Sequence, residues 1–231
     1  MSKSLIMAVN KVPEILLLLC LMVSGLVACN DQALTLVDRQ EKRAVYVLID
    51  ASGHYNNAFD DVHRVMRYLL RTLQPGESLA LARIDSGSFN EKDIVARMTF
   101  DMRPSMANAQ KRAFLQMLEN FNKDVRASKQ TDITGGALQA IEYLNDAGSR
   151  SKHILLFSDL KEEVREDRVR DFPVNFSGAN VVAMYGSNLE DEKLPGKDYI
   201  KRLEYWENKV EQGMGSWKQV KDLNQLNVIF E

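Results

Sequence analysis

The feature that most constrains this chain is a run of six apolar residues, 44–49, that ends directly in Asp50. Apolar side chains at every position are typical of a central strand in a parallel sheet, because helices cover both faces of such a strand. Small and polar residues follow, among them Ser52 and His54. In open parallel sheets, ligands bind beyond the carboxyl ends of the strands. The run therefore predicts a buried central strand and also the edge where a binding site would lie.

Strand-like and helix-like patterns alternate along the rest of the chain. Apolar residues spaced three and four apart predict helices that begin near Phe59, Pro104, Thr131 and Tyr199. Short apolar runs predict further strands at 78–84, 94–100, 154–157 and 180–185. This alternation favours a doubly wound, mostly parallel α/β sheet with helices on both faces.

Two segments depart from the simple alternation. The connection between the second and third strands has about nine residues, too few for a parallel crossover, so the third strand is predicted to be an antiparallel edge strand. The final apolar segment, 226–230, fits either a closing strand or a packing tail.

The N-terminus has the features of a secretory signal. Lys3 and Lys11 precede an apolar run of about 14 residues, which is shorter than the roughly 20 residues needed to span a membrane. The run ends in Leu26-Val-Ala-Cys29, which resembles the lipobox of bacterial lipoproteins. An ordinary signal peptide with an incidental cysteine, or an uncleaved anchor, remains the alternative.

The lipobox resemblance implies a domain plan and a location. Residues 1–28 are a signal peptide, Cys29 is the lipidated residue, 29–43 form a tether, and 44–231 form the folded domain. Asn30, where aspartate would favour retention in the inner membrane, places the protein at the periplasmic face of the outer membrane in preference to the inner membrane.

Charge and cysteine content restrict the functional classes. The net charge of −2 gives no sign of a nucleic-acid-binding surface, which needs clustered basic residues. The two cysteines, Cys20 and Cys29, both lie near the N-terminus, so the body of the chain has neither a disulfide nor a cysteine metal site.

Three separate polar pieces fall at equivalent places in the predicted sheet. Asp50 and Ser52 follow one strand, Thr131 and Asp132 stand at the start of a helix, and Asp159 follows another strand. In a doubly wound sheet these ends meet on one edge. Carboxylates and hydroxyls are hard oxygen ligands, the set expected for Mg²⁺ or Mn²⁺.

These pieces resemble the von Willebrand factor A family over roughly residues 44–230. The metal-ion-dependent adhesion site of that family combines a DxSxS turn with a distant threonine and a distant aspartate. Here the turn reads Asp50-Ala-Ser52-Gly-His54, Thr131 matches the threonine, and Asp159 matches the aspartate. The resemblance implies a metal site made of Asp50, Ser52, Thr131 and Asp159, with His54 as a further candidate ligand.

Two residues depart from the family pattern. His54 replaces the second serine of the turn, and Leu160 replaces the glycine that commonly follows the aspartate. Imidazole is a softer ligand than hydroxyl and suits zinc or nickel better than magnesium. It is also bulkier, so a degenerate pocket without metal remains an alternative to an occupied site.

The resemblance implies a binding module, not an enzyme. Such a module of the cell envelope would bind another envelope or secreted protein, with an acidic side chain of the partner completing the metal coordination. One alternative is a scaffold or assembly factor of the same fold with a metal-free site. A remote alternative is a metal-dependent phosphohydrolase with Asp50 as nucleophile, although the turn lacks the second aspartate of such enzymes.

Neighbouring polar residues also have plain structural interpretations. Capping of the following helix is the plain structural interpretation of Thr131 or Asp132, and it is compatible with a role in binding metal. Thr134 is an alternative both for the cap and for the threonine of the site. Glu162 and Glu163 are interpreted as a solvated face, and His153 as a residue without function.

Overall fold

The computed structural model describes residues 42–50, 55–85, 91–124, 130–164, 170, 172–184 and 197–230. Within these ranges the strands are β1 (Arg43–Asp50), β2 (Ser78–Ile84), β3 (Ile94–Thr99), β4 (Ser151–Phe157), β5 (Asn180–Met184) and β6 (Ser216–Val220). The helices are α1 (Tyr55–Thr72), α2 (Pro104–Asp124), α3 (Ile133–Asp146) and α4 (Lys197–Gln212). Short 3₁₀ helices occupy Glu91–Asp93 and Leu226–Phe230.

The strands form one sheet in the order β3-β2-β1-β4-β5-β6. All neighbouring pairs are parallel except β2 and β3, so the prediction of a mostly parallel sheet with one antiparallel edge strand is confirmed. The chain passes from β1 to β2 on one side, whereas β4 lies on the other side of β1. The crevice between the carboxyl ends of β1 and β4 is therefore the topological switch point, where open α/β sheets bind ligands.

Helices cover both faces of the central strand. Val45, Val47 and Ile49 belong to a core shared with α1 and α2. Tyr46 and Leu48 belong to a second core shared with α3 and α4. Each of these five side chains is at most 1% exposed, which confirms the prediction of a strand buried on both faces.

The C-terminal part of the fold differs from the sequence prediction in one element. β6 pairs with β5 in parallel, although its sequence has no apolar run and only Val220 in it is buried. The apolar residues Leu226–Phe230 form a 3₁₀ helix that packs against the core, so the packing tail, and not the closing strand, is what forms.

Within the described ranges, no helix has both the length and the apolar character needed to cross a bilayer. The predicted signal peptide 1–28 and the lipidation residue Cys29 lie outside these ranges.

Candidate functional site

Asp50 is the last residue of β1 and lies at the switch point. It is only 8% exposed. The hydroxyl of Ser158, the first residue after β4, donates to Oδ2 of Asp50 at 2.6 Å. The same hydroxyl accepts a hydrogen bond from the backbone N–H of Leu160 at 3.0 Å. Ser158 therefore ties the carboxyl ends of β1 and β4 together and orients the Asp50 carboxylate.

Thr131 lies at the same edge, immediately before α3. It is 1% exposed and forms two backbone hydrogen bonds with Glu163, each of 2.8 Å. The N–H of Asp132 donates to the carbonyl of Asp85, the residue that follows β2, at 3.1 Å. The start of α3 is thus held between the end of β2 and the segment that follows β4.

Asp132, and not Thr131, caps α3. Its Oδ1 accepts from the N–H of Gly135 at 2.8 Å and is paired with the guanidinium of Arg170. Its Oδ2 is buried and has no hydrogen-bond partner within the described part of the chain. Gly136 lets the first turn of α3 approach the sheet, because a Cβ there would lie 3.1 Å from a methyl carbon of Leu48.

Thr134 and Glu162 form a second link between α3 and the segment after β4. The N–H and the hydroxyl of Thr134 both donate to the Glu162 carboxylate, at 2.6 and 3.1 Å. Lys209 of α4 donates to the Thr134 hydroxyl at 2.7 Å. The interpretation of Glu162 as part of a solvated face is therefore wrong, because its carboxylate binds the first turn of a helix.

Asp159 is more exposed than the other two candidate ligands, with 42% of its side chain accessible. Its Oδ1 accepts from the N–H of Lys161 at 2.9 Å. Arg202 of α4 donates to the Asp159 carbonyl at 2.9 Å, and its guanidinium lies 3.9 Å from Oδ2. A cation of the protein itself therefore stands beside this carboxylate.

Leu160 fixes the direction of the chain after Asp159. It has φ of +63°, a backbone conformation that glycine adopts more readily than other residues. Its side chain is buried. The indole N–H of Trp206 donates to its carbonyl at 3.2 Å. The buried Trp206 thus packs as a core residue and also holds the turn that carries Asp159.

The charges at this edge are mixed. Lys161 is paired with Glu163, and this hydrogen bond raises the pKa of Lys161. Arg170 and Arg202 contribute two further cations. Each of these three cations is paired with a carboxylate, so the loops are held by ion pairs as well as by hydrogen bonds.

The structure thus brings Asp50 to the end of β4 and places Thr131 and Asp159 at the same sheet edge. Ser52 and His54 lie outside the described residues. Within those residues, no group of three or more histidine, cysteine, aspartate or glutamate side chains is arranged to hold a metal. The candidate site has two carboxylates, and its other ligands are hydroxyls, so it differs from a group of three such side chains. Carboxylate and hydroxyl oxygens are hard ligands, which fit Mg²⁺ or Mn²⁺.

Sequence reasoning did not assign roles to Ser158, Arg202 or Lys209. A role for Ser158 was predictable, because its hydroxyl lies at a strand end next to Asp159. The contacts of Arg202 and Lys209 were not predictable, since these residues reach the edge only through the packing of α4 against the sheet.

No protein-family model and no curated protein matches this sequence. Among solved structures, a von Willebrand factor type A protein from Catenulispora acidiphila has a TM-score of 0.50 and 16% identity, over 83% of this chain and 41% of that chain. An aerotolerance-related membrane protein from Bacteroides fragilis has a TM-score of 0.46 and 12% identity, over 81% of this chain and 96% of that one. Proximal thread matrix protein 1 of the mussel byssus has a TM-score of 0.44 and 12% identity, over 83% and 46% of the two chains.

The first of these similarities shows that the fold is of the von Willebrand factor A kind. This chain spans less than half the length of that protein.

Proposed function

We propose that this chain is a membrane-anchored, protein-binding module of the bacterial cell envelope that recognises its partner through a divalent cation at the carboxyl edge of the sheet. The observation that carries the proposal is the hydrogen bond between Ser158 and Asp50. It places a buried, oriented carboxylate at the switch point, where this fold class binds ligands.

The proposed metal ligands are Asp50, Ser52, Thr131 and Asp159, with His54 as a further candidate, and the metal is Mg²⁺ or Mn²⁺. When bound, the metal supplies a coordination position that an acidic side chain of the partner completes. Other residues of the chain hold the proposed ligands in position. Ser158 orients the Asp50 carboxylate, and the backbone hydrogen bonds to Glu163 fix Thr131. This is recognition without a chemical step.

The lipobox supports the location of the module. A lipid on Cys29 would hold it at the periplasmic face of the outer membrane, through the tether 29–43. The partner is then another envelope protein or a secreted protein.

One observation favours a second candidate, a scaffold of the same fold with a metal-free site. The Arg202 guanidinium already supplies positive charge 3.9 Å from the Asp159 carboxylate. A cation in that place reduces the repulsion between neighbouring carboxylates that a metal would otherwise relieve. Arg202→Gln distinguishes the two functions, because it removes the positive charge that competes with a metal. A metal site should then bind Mg²⁺ more tightly, whereas a metal-free scaffold should show no change.

Thermal melts of the full-length protein in non-ionic detergent, with Mg²⁺ or Mn²⁺ and with chelator, test the proposal. A ligand that binds only the folded state stabilises it by about 2.7 kcal/mol at a concentration 100 times its Kd. We expect the wild type to melt at a higher temperature with metal, and Asp159→Ala to lose most of that shift. Asp198→Ala is the matched control, because that carboxylate is exposed on α4 and, among the described residues, forms an ion pair with Lys201 alone.

His54→Ser restores the hydroxyl of the family pattern, and we expect it to increase the shift. A shift in His54→Ser but not in the wild type would mean that His54 has silenced the site. No shift in either protein would rule out the metal and leave the scaffold.

A further inference from the structure

A groove with a volume of about 630 Å³ runs between α1 and α2, and none of its lining residues belongs to the carboxyl edge discussed above. Five basic side chains line it: Arg64, Arg67, Arg71, Lys111 and Arg112. Three leucines, Leu70, Leu115 and Leu226, also line it, and none of its ten lining residues is acidic. The net charge of the whole chain is −2, so this concentration of positive charge is local.

The spacing of the arginines explains why they share one wall. Arg64, Arg67 and Arg71 follow an i, i+3, i+7 pattern on α1, which places them on one helix face over roughly 10 Å. Apolar residues such as Leu69 and Leu70 occupy the face toward the core. The basic stripe is therefore set by the sequence of α1 and not by the conformation of a loop.

Lys111 has a structural role in this groove. Its ammonium group donates to the carbonyl of Leu73, just beyond the end of α1, at 2.5 Å and lies 5.4 Å from the Phe100 ring centre. Burial lowers its pKa. Lys111 thus joins α2 to the end of α1 and leaves ligand binding to the arginines.

Within the described residues, no ion pair joins Arg64, Arg67, Arg71 or Arg112 to a carboxylate. Like charges held on one helix face repel each other and destabilise the helix. An anionic occupant of the groove would remove that cost.

We propose that the groove between α1 and α2 binds an acidic segment of a partner protein. Guanidinium groups pair with carboxylates through two parallel hydrogen bonds, which suits glutamate and aspartate side chains. A concave groove with leucines in its lining accommodates the side chains of a peptide, whereas a flat lipid surface would reach only its rim. The volume lies within the range of binding pockets, roughly 300–1,000 Å³.

This surface is separate from the proposed metal site, so the two would contact a partner at different places. Two linked contacts raise the overall affinity above that of either one. The groove is proposed independently of whether the carboxyl edge binds metal.

Fluorescence anisotropy of a labelled deca-glutamate peptide tests this proposal on the full-length protein in non-ionic detergent. Chelator is present throughout, and Asp159→Ala is measured in parallel, so that a metal at the carboxyl edge does not contribute. We expect binding that weakens as salt increases. The double variant R67E/R71E should bind at least about tenfold more weakly.

R150E/K221E is the matched control, because it makes the same change in net charge at two exposed residues outside the groove. We expect it to bind within about twofold of the wild type. If R67E/R71E fails to fold by circular dichroism, R67Q/R71Q replaces it and should also weaken binding.

Any of four results would overturn the proposal. The first is no peptide binding by the wild type at low salt, and the second is an equal loss in R67E/R71E and R150E/K221E. The third is arginine-dependent binding of soluble short-chain phosphatidylglycerol with no binding of the peptide, which would assign the groove to a lipid headgroup. The fourth is loss of peptide binding in Asp159→Ala, which would place the peptide at the carboxyl edge.

Discussion

Leu160 adopts a left-handed backbone conformation that glycine favours, with φ of +63°, while its side chain is buried. The left-handed conformation costs a non-glycine residue roughly 1–2 kcal/mol. Removing a buried leucine side chain costs about 2–5 kcal/mol. The burial therefore outweighs the strain, which explains how leucine is tolerated at a position where the von Willebrand factor A pattern commonly has glycine.

We accordingly expect Leu160→Gly to lower the free energy of unfolding by about 2 kcal/mol, since the difference between these two effects spans roughly 0–4 kcal/mol. Urea denaturation measures it. Met214→Gly is the matched control, because Met214 has φ of +61° but is 65% exposed, so that glycine there should be neutral or stabilising. A more stable Leu160→Gly protein would show that backbone strain dominates at this turn.

His153 is interpreted from the sequence as a residue without function, and the structure gives it a role in stability at low pH. Burial lowers its pKa from 6.5 to about 4, with Arg43 and Lys218 acting in the same direction and Glu77 opposing them. Its ring packs edge-on against Phe230 and shares a hydrogen bond with the Ser151 hydroxyl. The folded state therefore holds His153 neutral while the unfolded chain takes up a proton.

Since the unfolded state binds more protons between these two pKa values, stability should fall as the pH decreases from about 6.5 to about 4. The loss attributable to His153 is on the order of 3 kcal/mol. Chemical denaturation at several pH values, compared between wild type and His153→Gln, isolates this contribution. Parallel pH profiles for the two proteins would contradict it.

At the scale of single residues, the sequence predicted where the candidate site residues lie in the sheet but not which side chains contact them. Asp50, Thr131 and Asp159 lie at one edge of the sheet because each follows or precedes an element that the pattern identified. The partners were harder to predict, because Arg202 approaches Asp159 from a helix 43 positions later in the chain. Only tertiary packing decides such contacts.

At the scale of elements, β1 organises the fold. It pairs with β2 on one side and β4 on the other, and Val47 lies between Leu81 and Leu155, all of them fully buried. A carboxylate at Val47 would be surrounded by apolar side chains without a partner.

We expect Val47→Asp to destabilise the protein by more than about 4 kcal/mol, as an unpaired buried charge does. Val47→Thr keeps the shape of the side chain and should cost only about 1–3 kcal/mol for its buried hydroxyl. Urea denaturation of both variants gives the comparison. Equal stability of the two would mean that water reaches this part of the sheet.

The strands that have apolar runs were predictable from the sequence, whereas β6, which has no such run, was not. β2 and β5 have apolar runs because their neighbours cover them, whereas β6 is an edge strand with mostly accessible side chains. Its place in the sheet comes from the α4 crossover, which returns the chain parallel to β5. Conversely, residues 226–230 are apolar because they pack on the core as a 3₁₀ helix, so hydrophobicity alone did not distinguish that helix from a strand.

At the scale of the whole molecule, the proposed lipid at Cys29 would set how far the folded domain can lie from a membrane. The domain begins with β1 at Arg43, and the tether from Cys29 to that point reaches at most roughly 45–50 Å when fully extended. A lipid on Cys29 would thus keep both proposed binding surfaces close to the membrane. A single acyl chain binds membranes only reversibly, so stable anchoring requires more than one chain or a second contact.

We expect Cys29→Ser to abolish incorporation of labelled fatty acid and to move the protein from the membrane fraction to the soluble fraction. Cys20→Ser is the matched control, because Cys20 lies inside the predicted signal segment and should be removed with it. Metabolic labelling in a bacterial host, followed by fractionation, measures both effects. A wild-type protein without label would contradict lipidation at Cys29. A Cys29→Ser protein that remains in the membrane fraction would indicate an uncleaved apolar segment as the anchor.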